Sequence, residues 1–161
     1  MGRLTRVKRP DRVIELAKHF PGVNFIIAGD GELRVELEAM ASSNVYFLGV
    51  QNSDEMLSLA DIVLLTSDSE GMPLTLIEGQ MAGVPAIATD VGSVSEIVEN
   101  EVTGLLTSTH IEQIISSLGR LIDDSMLRST MAKNAKERAL DRFSIEKMVE
   151  SHIRVYKQVI K

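Results

Sequence analysis

The regular alternation of two kinds of apolar segment is the feature of this sequence that most restricts its fold. Short runs rich in β-branched and aromatic residues are typical of buried strands, and they cover residues 23–28, 45–48, 61–66 and 84–89. A weaker fifth strand is predicted over 104–107. Because strand–helix–strand units cross over right-handedly, the alternation predicts an α/β fold with a Rossmann-like, doubly wound parallel sheet covered on both faces.

The segments between the strands have apolar residues at helical spacing and predict helices over 11–20, 32–41, 53–59, 74–82 and 93–98. The last third is helical throughout, with helices predicted over 109–122, 124–140 and 144–160. We expect a capping box at the first of these, Thr109 followed by Glu112. The final helix carries an apolar face that must pack on something. Without linkers or repeats, residues 1–161 are expected to form one domain.

The composition excludes several classes of function. The chain has no cysteine, which removes disulfides and thiolate ligands and fits a reducing, cytoplasmic location. No apolar run approaches the ~18 residues that a membrane-spanning helix needs. The net charge of -6 argues against a nucleic-acid partner. Residues 1–12 are nevertheless locally basic, and this end is either a solvated terminus or a patch that attracts a small anion. Its charged residues are Arg3, Arg6, Lys8, Arg9 and Arg12 against Asp11.

The loop that follows the strand at 61–66 is the strongest candidate for a binding site. Ligands of open α/β sheets bind beyond the carboxyl ends of the strands, and here a polar loop leads into a helix. Pro73 suits the first helical position, where its missing N–H costs nothing. We therefore expect the free N–H groups of Leu74, Thr75 and Leu76 to face a bound anion. The other candidate loops are 29–31, 49–53 and 90–93.

Two glutamates flank this junction of loop and helix. Glu70 precedes the helix and Glu78 lies inside it, so both carboxylates can face one pocket and accept hydrogen bonds from vicinal hydroxyls. Taken singly, each glutamate is better explained without a binding role, Glu70 as an exposed loop acid and Glu78 as a helix acid facing solvent. Together with the glycine, the proline and the strand end, they favour a binding site.

With the two glutamates separated by seven residues, the segment 66–83, TSDSEGMPLTLIEGQMAG, strongly resembles the C-terminal domain of glycosyltransferase family 4, which has the GT-B fold. The resemblance covers nearly the whole chain. Gly2-Arg3-Leu4 followed by Lys8 is similar to the opening signature of the family. The GDG of 29–31 and the FLG of 47–49 are similar to two of its loops. Each short motif recurs by chance, but their shared order makes the match specific.

The resemblance implies a role for each matching residue. Arg3 and Lys8 would grip the diphosphate of a nucleotide-sugar donor, and Glu70 would lie near the donor sugar, which makes these three the expected catalytic residues. Glu78 would hold the ribose hydroxyls. The backbone at Met72–Thr75 would face the phosphates, and the loop after Gly49 would meet the base. The remaining expected donor-binding residues are Gly29, Gly49, Val50, Gly71, Met72, Pro73, Leu74 and Thr75.

The resemblance further implies a retaining glycosyltransferase that moves a sugar from a nucleoside-diphosphate sugar to a glycan, lipid or protein. Polysaccharide, lipid-linked saccharide or glycoprotein assembly in the cytoplasm would be its setting. No metal or other cofactor is expected. His19, His110 and His152 are scattered, and no cluster of acids and histidines has the spacing of metal ligands.

The chain departs from the family at its start. The family has an apolar strand directly before the Gly2-Arg3-Leu4 signature, and this sequence begins at Met1. In a doubly wound sheet of strand order 3-2-1-4-5-6 that strand is central, so its neighbours at 23–28 and 61–66 would expose unpaired backbone. We therefore expect a sheet without its first central strand and no N-terminal acceptor domain. Such a fragment or split subunit would be inactive until an acceptor domain or partner chain completes it, and that half would also allow peripheral membrane association.

Smaller departures fall inside the motifs. The family commonly has alanine after the second glutamate, where this chain has Gly79 and then Gln80, and a paired glycine where it has Val91-Gly92-Ser93. Two other functions remain open: a nucleotide-sugar-binding module that transfers nothing, and a GT-B sugar-nucleotide epimerase. A response-regulator receiver domain would need a lysine after the strand at 84–89, and the loop there offers Asp90 and Ser93 but no lysine.

Overall fold

The computed structural model of the protein describes residues 1–160 and contains all five predicted strands. They are β1 (Phe25–Ala28), β2 (Val45–Gly49), β3 (Val63–Leu65), β4 (Ala86–Thr89) and β5 (Gly104–Thr107). Every paired strand is parallel to its neighbour. The strands β1, β3 and β4 each begin two residues later than predicted, and β3 also ends one residue earlier. Pro85 has no N–H to donate to a ladder, and β4 accordingly begins one residue after it.

The predicted helices all form, with boundaries that differ by at most two residues from those expected. A single 3-10 turn over Arg6–Lys8 precedes them. They are α1 (Pro10–His19), α2 (Arg34–Met40), α3 (Ser53–Ser58), α4 (Leu74–Ala82), α5 (Val94–Ile97), α6 (Ile111–Asp123), α7 (Ser125–Arg142) and α8 (Ile145–Val159).

The capping box predicted at the start of α6 is wrong. His110, not Thr109, is the N-cap residue, and its side chain makes no capping hydrogen bond. Thr109 therefore lies one residue too early for its hydroxyl to reach the N–H groups of the first turn. The side chain of Gln113 instead accepts a hydrogen bond from the N–H of Ser108, which holds the entry to the helix.

The strands form two separate ladders, β1–β2 and β3–β4–β5. Within residues 1–160 no strand pairing joins β1 to β3, and this break lies where the sequence predicts a sheet without its central strand. The first residues run beside the carboxyl end of β1, since the N–H groups of Gly2 and Leu4 donate to the carbonyls of Ala28 and Asp30, each at 2.9 Å. The doubly wound topology is confirmed, with its discontinuity at the expected place.

Helices cover both faces of β3–β4–β5. Ala86 and Ala88 of β4 belong to an apolar cluster with Leu76 of α4 and Ile97 of α5. Ile87, which points to the opposite face, belongs to a second cluster with residues of α1, α6 and α7, among them Leu16, Leu118 and Met131. A third, smaller cluster joins Leu4, Ile14, Ile27 and Leu37 around β1. The β3–β4–β5 ladder is therefore buried on both sides, as parallel sheets require. The β1–β2 ladder is not, because Ile26, Tyr46 and Leu48 leave one of its faces exposed.

Helix α8 forms as predicted, but its apolar face does not pack against the rest of residues 1–160. No residue of α8 is buried. Ser144 caps the helix by accepting a hydrogen bond from the N–H of Lys147 at 3.3 Å. The exposed apolar residues of the helix are Ile145, Met148, Val149, Ile153, Val155, Tyr156 and Val159.

Candidate functional site

The carboxyl ends of β1 and β2 meet the first residues of the chain in a tightly packed backbone cluster. The N–H of Gly29 donates to the carbonyl of Gly49 at 2.6 Å. Gly29 has a φ of 142°, and a Cβ added there would overlap the carbonyl of Gly2. A Cβ on Gly31 would lie 2.5 Å from the carbonyl oxygen of Leu4. The GDG loop thus supports the Gly2-Arg3-Leu4 segment, and only glycine fits at these contacts.

The predicted catalytic residues Lys8 and Glu70 are in direct contact. The ammonium Nζ of Lys8 lies 2.7 Å from both Oε1 and Oε2 of Glu70, although 62 positions separate them in the sequence. Only 4% of the Glu70 side chain is exposed, against 38% for Lys8. The reading of Glu70 as an exposed loop acid is therefore wrong. A buried carboxylate held by a cation in this way is a charge-assisted pair with defined geometry.

The other two predicted side chains are not bonded to that pair within residues 1–160. Arg3 is exposed, and Glu78 is half-buried on α4. Within residues 1–160 neither makes an ion pair or a side-chain hydrogen bond, with each other or with Glu70. The structure therefore joins two of the four expected charged groups directly and leaves the charges of Arg3 and Glu78 uncompensated by the described part of the chain.

The start of α4 differs by one residue from the prediction. Pro73 is the N-cap rather than the first helical residue, and its carbonyl accepts the N–H of Leu76 at 3.1 Å. The expectation that Leu76 has a free N–H is thus wrong. The N–H groups of Met72, Leu74 and Thr75 donate no hydrogen bond within residues 1–160. The first turn contains no acidic residue, so its positive end remains suited to an anion.

Arg12 is buried and links the loop after β3 to the segment that carries Lys8 through a hydrogen bond and an ion pair. The sequence analysis did not predict this role. Its guanidinium donates to the carbonyl of Thr66 at 2.6 Å and lies 2.8 Å from a carboxylate oxygen of Asp68. The hydroxyl of Thr66 donates to the carbonyl of Arg9 at 2.9 Å, and the N–H of Asp68 donates to the carbonyl of Val7 at 2.9 Å. No local pattern marks these partners, because they are more than 50 residues apart in the sequence.

The basic N-terminal segment is largely neutralised by acids. Arg9 adopts a left-handed φ of 49° and contacts Asp11 at 2.8 Å and Asp68 at 3.2 Å. The hydrogen bond from Arg9 lowers the pKa of Asp11 below its usual value. Partial burial alone would raise the pKa of Asp68, but hydrogen bonds from Arg9 and Arg12 outweigh it and lower that pKa. Of the basic residues in this segment, only Arg3 and Arg6 make no ion pair within residues 1–160.

The departures after Glu78 are explained by packing. A Cβ on Gly79 would lie 2.9 Å from Cγ2 of Val63, so glycine lets α4 rest directly on β3. Gln80 is fully buried, and its Nε2 donates to the carbonyl of Ile97 and to the hydroxyl of Thr103, each at 3.1 Å. Both substitutions therefore serve the contacts of α4 with its neighbours.

In the part of the chain that the structure describes, no group of three His, Cys, Asp or Glu side chains is arranged to hold a metal ion. None of the helices within residues 1–160 is both long and apolar enough to cross a membrane. The absence of a metal requirement stays a prediction.

The architecture and the residues at the strand ends define the C-terminal domain of a GT-B glycosyltransferase fold. The chain belongs to the family described as "Glycosyl transferases group 1", whose model matches residues 1–138. The family resemblance inferred from the motifs is thereby confirmed.

Three similar proteins illustrate the match. The UDP-Gal:alpha-D-GlcNAc-diphosphoundecaprenol alpha-1,3-galactosyltransferase of Escherichia coli is 32% identical, over 93% of this chain and 42% of that protein. The C-terminal domain of the group 1 glycosyl transferase LpcC from Francisella tularensis superposes with a TM-score of 0.79 and 27% identity, covering 90% of this chain and 84% of that one. S. aureus TarM, in a complex with fondaparinux, alpha-GlcNAc-glycerol and UDP, gives a TM-score of 0.87 and 25% identity over 96% of this chain and 34% of its own. The chain thus spans less than half the length of the E. coli relative.

Proposed function

We propose that this chain is the donor-binding domain of a retaining glycosyltransferase, which transfers a sugar from a nucleoside-diphosphate sugar to a glycan, lipid or protein acceptor. The observation that carries the proposal is the ion pair between Lys8 and the buried carboxylate of Glu70. Glu70 lies in the loop after β3, which also leads to the N–H groups without hydrogen bonds at the start of α4. Membership of the glycosyl transferase family supports it. The UDP named for the E. coli relative and for the TarM complex favours a uridine donor.

In the proposed site, positive groups surround the diphosphate. Arg3 would bind it through its planar guanidinium, and the N–H groups of Met72, Leu74 and Thr75 would face its oxygens. An ammonium has three donors, so Lys8 can contact the diphosphate while it keeps a hydrogen bond to Glu70. Negative charge grows on the leaving phosphate as the sugar departs, and these fixed donors stabilise that charge without a metal ion.

The remaining residues would hold the other parts of the donor. The carboxylate of Glu78 has no partner within residues 1–160 and would accept hydrogen bonds from the ribose hydroxyls. The backbone at Gly49 and Val50 would contact the base, and Gly29 would keep the adjoining loop close to it. Glu70 would lie beside the donor sugar.

We further propose that an acceptor-binding unit, from the same polypeptide or from another chain, faces this domain. The exposed apolar face of α8 and the unpaired edges of β1 and β3 both offer contacts for it. The diphosphoundecaprenol named for the E. coli relative favours a lipid-linked acceptor, which would bring a cytoplasmic enzyme to the membrane surface. The isolated chain would then bind the donor without transferring its sugar.

Calorimetric titration of UDP, GDP and ADP into the purified chain tests the proposal. We expect UDP to bind best, and the double variant Lys8→Ala, Glu78→Ala to lose that binding. The variant Lys133→Ala, Glu137→Ala is a matched control, because it removes the same two charges from an exposed pair on α7. A folded chain that binds none of the three nucleotides would overturn the proposed function. Transfer restored by an added acceptor unit would distinguish an enzyme from a binding module that transfers nothing.

A further inference from the structure

The carboxylate of Glu70 has a second partner besides Lys8. The hydroxyl of Ser67 donates to Oε1 of Glu70 at 2.6 Å. Ser67 is 1% exposed, so water does not compete for this hydrogen bond. Oε1 thus receives donors from both Ser67 and Lys8, whereas Oε2 receives one from Lys8 alone.

Ser67 is itself held by the neighbouring strand. The hydroxyl of Thr89, the last residue of β4, donates to the carbonyl of Ser67 at 2.6 Å. Thr89 is fully buried. Because a strand inside a packed sheet moves little, this bond fixes the backbone from which the Ser67 hydroxyl projects.

The backbone of Glu70 is confined as well. Gly92 lies in the loop after β4 with a φ of +57°, and a Cβ added there would overlap the carbonyl of Glu70. The single glycine of Val91-Gly92-Ser93 therefore has a defined role, since its missing side chain makes room for the Glu70 peptide. Glu70 is limited at its backbone by Gly92 and at its carboxylate by Ser67.

We propose that Ser67 is a positioning residue that holds Glu70 in the orientation needed for the donor sugar, with Thr89 as its support. The inference rests on the proposed function, in which Glu70 lies beside that sugar. Lys8 alone is a poor anchor, since it is a mobile point charge that is 38% exposed and is also drawn to the diphosphate. Ser67 keeps Oε1 occupied when Lys8 turns, and this leaves Oε2 to accept a hydrogen bond from a sugar hydroxyl.

If Ser67 positions Glu70, its loss should weaken the affinity for nucleotide sugars but not the affinity for UDP. A general structural role would change both affinities together. UDP lacks the sugar, so its binding does not depend on the orientation of Glu70. The binding of UDP-galactose and UDP-glucose does depend on it. We expect Ser67→Ala to weaken binding of these nucleotide sugars about tenfold, the effect of losing a hydrogen bond to a charged group, and to change UDP binding less than twofold. Thr89→Val should also weaken nucleotide-sugar binding selectively, but by a smaller factor, because Thr89 acts through Ser67.

The experiment is calorimetric titration of UDP, UDP-galactose and UDP-glucose into the wild-type chain and these variants. Ser69→Ala removes an exposed hydroxyl from the same loop, and Thr107→Val removes a buried one from β5 that makes only a 3.5 Å contact. Both controls should retain the wild-type ratio of nucleotide-sugar to UDP affinity. Thermal unfolding of each variant identifies any that fails to fold.

The ratio of affinities decides the outcome. Equal losses for UDP and the nucleotide sugars in Ser67→Ala would show a general structural role and overturn the inference, as would no loss for either nucleotide sugar. If Ser67→Ala does not fold, the Thr89→Val ratio decides in the same way. A folded wild-type chain that binds neither UDP nor the nucleotide sugars would instead overturn the proposed function on which the inference rests.

Discussion

The loop 66–73 and the helix α8 both have clear sequence patterns, yet they end in opposite environments. The loop is polar, but Thr66 and Ser67 are buried and hydrogen-bonded to residues far away in the sequence. Helix α8 has a well-defined apolar face, but every residue in it is exposed. A pattern therefore predicts which local structure forms, whereas burial depends on whether another element is present to pack against it.

The largest expected loss of stability is in the buried core, where, unlike in α8, side chains are packed on all sides. Leu76 on α4 is fully buried, so Leu76→Ala should lower the free energy of unfolding by about 3 kcal/mol through lost burial and a residual cavity. Urea denaturation followed by circular dichroism measures this loss. A loss below about 1 kcal/mol would mean that the cluster around α4 is loosely packed.

The second effect concerns the contact between Gly92 and Glu70. Gly92→Ala should lower the free energy of unfolding by about 2 kcal/mol, because the new Cβ meets the Glu70 carbonyl and the left-handed φ disfavours alanine. It should also weaken nucleotide-sugar binding by displacing Glu70. Gly22→Ala is the control, since nothing lies within 4 Å of its added Cβ. Equal stabilities of the two variants, measured by urea denaturation, would contradict the contact.

The third effect tests the ion pairs that fasten the loop 66–73. The pKa of Asp68 is lowered in the folded protein, so its contribution to stability is present above the usual aspartate value of 3.8 and is lost as the pH falls through the folded value. Asp68→Asn should cost less than about 1 kcal/mol at pH 7, because the carboxylate is 44% exposed.

This cost should shrink as the pH falls from 7 to about 3, because the stability that a lowered carboxyl pKa supplies declines below the usual aspartate value of 3.8. Urea denaturation of both proteins at the two pH values measures it. Asp54 on α3 makes no ion pair within residues 1–160, so Asp54→Asn is the control. A cost that is the same at both pH values would show that the Asp68 charge does not stabilise the loop.

The smallest effect is expected in α8. Ile153→Ser should change the free energy of unfolding of the isolated chain by less than about 0.5 kcal/mol, because the residue is exposed. Leu118→Ser, on the buried face of α6, should be strongly destabilising in the same assay. If Ile153→Ser is destabilising by more than 1 kcal/mol, roughly the typical cost of a point mutation, α8 packs on the domain and the contrast with the loop fails.

Much of the candidate site could be predicted because its motifs are local. The spacing of Glu70, Pro73 and Glu78 places a strand end, a loop and a helix start next to one another, and the family match agrees with that reading. The supporting residues could not be found in this way. Arg12 and Thr66 are 54 residues apart, and Thr89 reaches Ser67 from the next strand, so no periodicity relates them.

The sequence by itself determined the succession of strands and helices and the parallel sheet, because periodicity and turn residues act over a few neighbouring positions. Its ordered motifs identified the family by resemblance. Only the tertiary structure decided that Arg12 is buried against Thr66, that Ser67 holds Glu70, and that the face of α8 stays exposed. These outcomes depend on which distant groups meet when the sheet closes. A side chain's partners are therefore set by packing and charge compensation across the fold.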